Sequence, residues 1–170
     1  MSEKKMAVVR MGDVDNVHIR KDLNVICKKF NSSISDILEL VEEKTRKKGD
    51  IWYIRKKFNV LCSLSNEEMI FASHDAIYKM RNHILKKDSV FFMEKAEDDE
   101  FIEKYIDGEG IEIFEQVKSI IITVWKKLDL EESELMWSKL KNMLNSVAKY
   151  KLMIKACLLY TSDAADDSLR

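Results

Sequence analysis

Apolar residues spaced three and four apart dominate the stretch from Ile111 to Tyr150, and no other feature restricts the fold as much. Ile113, Phe114, Val117, Ile120, Ile121, Val124 and Leu128 form one series, and Met136, Leu140, Met143, Leu144 and Val147 a second. Such spacing follows the roughly 3.6-residue period of an α-helix and gives each helix one apolar stripe. Between the two series, Asp129 is placed to accept hydrogen bonds from the free N–H groups that open the second helix. Glu132, three residues on, is placed to reach back to Asp129. A connection this short makes the two helices antiparallel, so the rest of the chain has to supply helices that cover their stripes. The expected fold is all-α: a single-domain bundle of about five to six helices ending in this hairpin.

Composition points the same way. No proline occurs in 170 residues and glycine only 4 times, against ordinary usages of roughly 5% and 7%. Helix breakers are therefore scarce, although an AT-rich genome imposes the same bias. A chain that is 46% hydrophobic and 35% charged is too apolar for a disordered polymer and too charged for a membrane span. No run approaches the roughly eighteen apolar residues of such a span, and the first residues lack the apolar core of a secretory signal. The expectation is an intracellular chain that is not secreted. Cys27, Cys62 and Cys157 form no CxxC pair, which suits reduced thiols.

Along the chain, residues 1–16 read as a flexible arm and 17–156 as the bundle domain. Ile19, Leu23, Ile26, Phe30, Ile34, Ile37, Leu38 and Val41 keep one helical face. Asn31, Ser32 and Ser33 are expected to point away from it. Lys44, Arg46, Lys47, Lys48 and Gly49 are suited to a helix end, and Asp50 to capping the next helix, in which Ile51, Ile54, Phe58 and Leu61 share a side. Ser65 and Glu68 have capping-box spacing ahead of a helix running to Leu85, in which Met69, Ile70, Ser73, Ile77, Met80 and Ile84 repeat at helical spacing. Asp88 is placed to cap a short, densely apolar segment, Val90–Met93. The stretch EKAEDDEFIEKYIDGEG, residues 94–110, is an acidic connector anchored by Phe101, Ile102, Tyr105 and Ile106.

Residues 157–167, CLLYTSDAADD, resemble a translated transposase-based sequencing adapter. That resemblance implies that the natural chain ends near Ala156, and residues 157–170 are expected to be non-native or disordered. With their Asp163, Asp166, Asp167 and Arg170 set aside, the formal net charge of −1 becomes +1.

Three further segments carry a family resemblance: LNVICKKFNSSISDILELV (residues 23–41), YKMRNHILKKDSVFF (78–92) and WKKLDLEESELMW (125–137), with Ile113–Val117 between the last two. Together they resemble an uncharacterised group of all-helical proteins encoded by giant DNA viruses. In that group a first helix of FNxxIxDLI type is followed by a helix ending I-x-x-[KR]-D-x-x-F-F, then by a pair of helices bracketed by tryptophans. Glu42 and Glu43 depart from the Phe-Pro-Glu turn usual there. The resemblance implies a viral origin and an all-α fold, and no activity or site residue.

Residues that carry chemistry are few. His18, His74 and His83 share no helix face and suit structural roles rather than metal binding or acid–base work. Glu97, Asp98, Asp99, Glu100 and Glu103 lack the spacing of a calcium loop. Ser32 and Ser33 lack a glycine-framed elbow, and no phosphate-binding glycine motif is present. No cofactor, metal or catalytic residue is assigned, and an enzyme is not expected. The one notable constellation is basic: Lys44, Arg46, Lys47, Lys48, Arg55, Lys56 and Lys57, with Trp52 and Tyr53 between them. Cations neutralise phosphates and exposed rings stack on bases, so these nine residues are the candidate nucleic-acid contacts. A body charge near zero and the shortage of arginine weigh against a dedicated nucleic-acid binder. The leading expectation is a non-catalytic module that binds a protein partner, with Phe101 and Tyr105 as candidate contacts and no membrane association. The alternative is a nucleic-acid-binding accessory protein.

Overall fold

A computed structural model describes residues 9–95 and 123–168. The protein is all-α, and no strand occurs among the described residues. A single 3₁₀ turn, Met11–Asp13, precedes helices α1 (Val17–Lys44), α2 (Lys48–Leu64), α3 (Glu68–Lys79), α4 (Arg81–Leu85), α5 (Ser89–Lys95) and α6 (Leu130–Ser168). The long rods α1 and α6 lie against each other, and α3 and α4 also pack on α6.

Asn16 opens α1 by accepting hydrogen bonds from the His18 and Ile19 N–H groups at 3.0 and 3.3 Å, which satisfies two of the orphan donors of the first turn. Leu23, Cys27 and Phe30 on its inner face are completely buried. The expectation that Asn31, Ser32 and Ser33 all face outward holds for Ser32 alone, because Asn31 and Ser33 are buried. Asn31 Nδ2 donates to the Asn66 carbonyl at 2.9 Å, in the turn between α2 and α3. That partner lies far along the chain, and it removes the cost of burying the amide nitrogen. The helix passes through this segment unbroken.

The turn after α1 differs from expectation. Thr45 N–H bonds the Val41 carbonyl at 2.9 Å, and Thr45 Oγ1 accepts the Lys47 N–H at 3.0 Å. The reversal is thus made within residues 45–47, and α2 begins at Lys48 with Gly49 and Asp50 already inside its first turn. Asp50 is not the cap, and no left-handed glycine is needed there.

At the next corner Ser65 does act locally, but its Oγ accepts the Glu67 N–H at 3.2 Å rather than that of Glu68. The helix expected to run to Leu85 divides at Met80, whose N–H is shared between the Ala76 and Ile77 carbonyls at 3.2 and 3.1 Å. The inner stripe of Ile70, Ile77 and Ile84 continues across the division. α4 ends in paired reverse bonds, Asp88 N–H to the His83 carbonyl at 2.9 Å and Lys87 N–H to the Ile84 carbonyl at 3.2 Å. This is a Schellman closure with Lys87 in the left-handed position, at φ 54°. Asp88 then caps α5 by accepting the Phe91 N–H at 3.1 Å.

Asp129 and Glu132 form the expected reciprocal box at the start of α6, with bonds of 2.8 and 3.2 Å. Of the hairpin's first helix, Thr123–Trp125 are helical and Val124 is buried, while Ile113, Phe114, Val117, Ile120 and Ile121 lie outside the described residues. So does the acidic stretch 96–110, including Phe101 and Tyr105. α6 runs on to Ser168, so the segment expected to be non-native or disordered continues the helix. Between residues 130 and 168 there is no glycine or proline to stop it. The other terminal expectation is corrected in part: Val14 is buried, and Val9 and Met11 pack against the core where a flexible arm was expected.

Two apolar clusters result. The first joins Val14, Leu23, Cys27, Phe30, Ile70, Ile77, Ile84, Leu144, Val147 and Tyr150. The second joins Leu40, Val41, Ile51, Val124 and Met136, and Leu140 packs against both.

Candidate functional site

α2 makes the least use of its apolar residues. Ile51 and Phe58 are buried, and Ile54 packs against the second cluster. Trp52 is 60% exposed, Tyr53 45%, Val60 53%, Leu61 39% and Leu64 74%. At about 100° per residue, Trp52, Ser63, Lys56, Val60, Tyr53, Leu64, Lys57 and Leu61 follow one another around roughly half the helix circumference, over a length of about 18 Å. Of the thirteen large exposed hydrophobic residues among those described, five lie on this one face, and the others are spread over the remaining elements. Leu61, expected beside Phe58 on the inner side, belongs to the outer arc.

The basic residues of the constellation divide into different environments. Lys56 Nζ lies 5.0 Å from the Trp52 ring centroid and Lys57 Nζ 4.6 Å from that of Tyr53, so the two rings carry cations over their faces. Arg55 pairs with the Glu42 carboxylate, and Lys48 Nζ donates to the Glu42 carbonyl. Lys44 turns away from α2 to pair with Glu132 at 2.5 Å, and this hydrogen bond, followed by attraction to nearby carboxylates, raises its pKa. Arg46 and Lys47 are exposed in the turn. The structure therefore gathers Lys48, Trp52, Tyr53, Arg55, Lys56 and Lys57 on or beside α2 and separates Lys44 from them. A groove of about 590 Å³ runs between Glu42 of α1 and Trp52, Arg55, Lys56, Val60 and Ser63 of α2.

Sequence reasoning found the rings and cations of this face and missed Val60, Leu61 and Leu64. The signal was present. α2 carries apolar residues on every side, more than one neighbouring surface can cover.

A buried polar cluster was also missed. Glu67 is only 2% exposed, and its Oε2 accepts the Met11 N–H at 2.5 Å. Burial raises its pKa, opposed by the Met11 hydrogen bond and by the charge of Arg10. Arg10 bonds Glu68 at 2.6 Å and lies 3.9 Å over the Phe71 ring. Burial, with a contribution from Glu67, pushes the Cys27 thiol up to about 12 and also raises Tyr150. These shifts leave the thiol and the phenol protonated and poorly suited to nucleophilic work. Lys151 bonds Asp75 at 2.5 Å beside His74, whose pKa burial lowers. His83 stacks on Phe91 at 3.5 Å and bonds Asp88 at 3.0 Å. Among the described residues, no three His, Cys, Asp or Glu side chains are grouped to hold a metal ion, and no helix is long and apolar enough to cross a membrane.

Fold and surface together define an all-α protein that carries a cation-flanked apolar face on its second helix. No protein-family model, curated protein or solved structure matches the chain.

Proposed function

We propose that this protein is a non-catalytic helical interaction module that engages a protein partner through the outer face of α2. The observation that supports this most directly is the 60% exposure of Trp52 beside Tyr53, Val60, Leu61 and Leu64 on one arc. Large apolar side chains gathered in one exposed patch are a recurrent feature of protein contact sites, and tryptophan and tyrosine are the common anchors. The resemblance to giant-virus proteins makes infected cells the place to look for the partner.

Nucleic-acid binding is the second reading. From Lys44 to Leu64 the chain has seven basic residues and one acid, Asp50. Two features favour protein over nucleic acid. Glu42 lines the groove, its carboxylate pairing with Arg55 and its backbone carbonyl accepting from Lys48, and the aliphatic residues at the Leu64 end offer phosphates nothing. A photo-reactive residue placed at Tyr53 and, separately, at exposed Lys21 on α1 tests the assignment in infected-cell extract. The expected result is one dominant protein adduct from position 53, lost when Leu64→Asp is added, and no such adduct from position 21. Adducts to nucleic acid alone, or equal protein labelling from both positions, would remove the protein reading.

A further inference from the structure

We infer that the occupant of the α2 face is an acidic amphipathic helix: a partner segment with apolar residues at i, i+3 or i+4, and i+7, flanked by carboxylates. This inference rests on the proposed protein-binding role of α2 and specifies the chemistry of its partner.

Three observations carry it. The exposed apolar strip is one helix wide and about 18 Å long. A surface that narrow falls well short of the roughly 800 Å² per partner typical of a stable association between folded proteins, and it suits a single helix laid alongside. The order of residues around the strip sets an apolar centre of Val60, Tyr53 and Leu64 between two cations, with Lys56 on the Trp52 side and Lys57 on the Leu61 side. A docked helix therefore meets ammonium groups wherever its own apolar stripe gives way to polar flanks. Charge along the helix itself is also one-sided: Arg46, Lys47 and Lys48 stand at one end, after Asp50 no acidic residue follows within α2, and the adjacent Glu42 carboxylate is taken up by Arg55.

The same charge pattern argues against a second copy of this chain. Two α2 faces packed together would bring Lys56 and Lys57 of one copy towards those of the other, and like charges across an interface oppose association. Nucleic acid matches the cations but leaves Val60, Leu61 and Leu64 without a counterpart.

The test is a selection of helical peptides about eighteen residues long against the full chain, from a display library with equal numbers of acidic and basic amphipathic designs. Acidic helices with the stated apolar spacing are expected to be enriched. Their binding should fall at least tenfold in the Lys56→Glu, Lys57→Glu double variant and in Leu64→Asp, all at exposed positions, with circular dichroism confirming that each variant is folded. Enrichment of basic or neutral peptides, of peptides without helical apolar spacing, or of peptides indifferent to these substitutions overturns the inference. Binding of a twenty-nucleotide oligothymidine that is tighter than that of any peptide and falls steeply with salt also overturns it, in favour of nucleic acid. A Tyr53 protein adduct combined with failure of the acidic helices leaves the interaction role standing and removes only this account of the partner. Absence of the adduct removes the role itself.

Discussion

Two residues hold conformations or environments that their side chains disfavour, and each yields a measurable consequence. Glu67 is buried with its carboxylate against the Met11 N–H, and desolvation raises its pKa above the ordinary value of 4.5. The folded chain therefore holds this proton more tightly than the unfolded chain. Its contribution to stability is complete below the ordinary value and is lost as pH rises through the raised folded value. Glu67→Gln keeps an oxygen acceptor for Met11 and abolishes the charge. The variant is expected to unfold at higher urea than the parent at pH 7.5, with the gap closing by pH 4. A parent that is more stable than the variant at pH 7.5 contradicts this account. Relative to Glu67→Gln, Glu67→Ala removes the acceptor and should cost about 1–3 kcal/mol at any pH, the usual penalty for orphaning a buried N–H. Lys87, at φ 54°, is the second case. A side chain in the left-handed region is strained where glycine is not. Lys87→Gly and Lys87→Ala both lose the exposed pair with Glu134, so their difference isolates the backbone. Glycine is expected to be more stable by about 1 kcal/mol in matched thermal melts.

At the level of the element, the start of α6 is set by Asp129 and Glu132, and its pH dependence runs opposite to that of Glu67. The hydrogen bond from the Glu132 backbone holds the Asp129 carboxyl below its ordinary value. The cap is thus fully effective above the ordinary carboxylate range and is lost as pH falls through the lowered value. Asp129→Ala should reduce the melting temperature at pH 7 and approach the parent at low pH, whereas Asp129→Asn, which can still accept, should keep most of the parent's stability throughout. A deficit for Asp129→Ala that does not change with pH would show that the cap is not the cause. This box was legible from three-residue spacing alone because both partners are local. The Asp88 cap and the stripes of Leu23, Phe30, Ile70, Ile77 and Leu144 were legible for the same reason. What escaped depended on residues far apart in the chain. Asn31 is buried because the Asn66 carbonyl meets it, and Glu67 because Met11 folds back over it. Glycine and aspartate at 49 and 50 suggested a boundary that Thr45 makes earlier. For the candidate surface, Trp52, Tyr53 and the lysines could be named from sequence, but which residues of α2 stay uncovered depends on how few neighbours reach it.

At the level of the whole molecule, the two apolar clusters share their supports. α1 places Phe30 in the first and Leu40 and Val41 in the second, while α6 places Met136 in the second and Leu144, Val147 and Tyr150 in the first. Leu140 touches both. Opening either cluster requires moving a rod that carries part of the other, so the chain is expected to unfold as one cooperative unit. The second cluster has an optical reporter in Trp125. It meets Trp137 edge-on and stacks with Phe92, which packs against the first cluster, and the two indole rings lie 5.0 Å apart. Phe30→Ala, made in a Trp52→Phe background to silence the exposed indole, removes a completely buried ring from the first cluster. It should cost about 3–5 kcal/mol. The denaturation midpoint followed by tryptophan fluorescence is expected to shift as far as the midpoint followed by far-ultraviolet circular dichroism. Two separable midpoints, with the fluorescence transition unmoved, would mean that the clusters melt independently and that the shared rods do not couple them. Coincident shifts would tie the stability of α2, which leans on the second cluster through Ile51 and Ile54, to the packing of the whole bundle. The outer face of α2 would then be presented on a rigid support rather than on a helix free to detach.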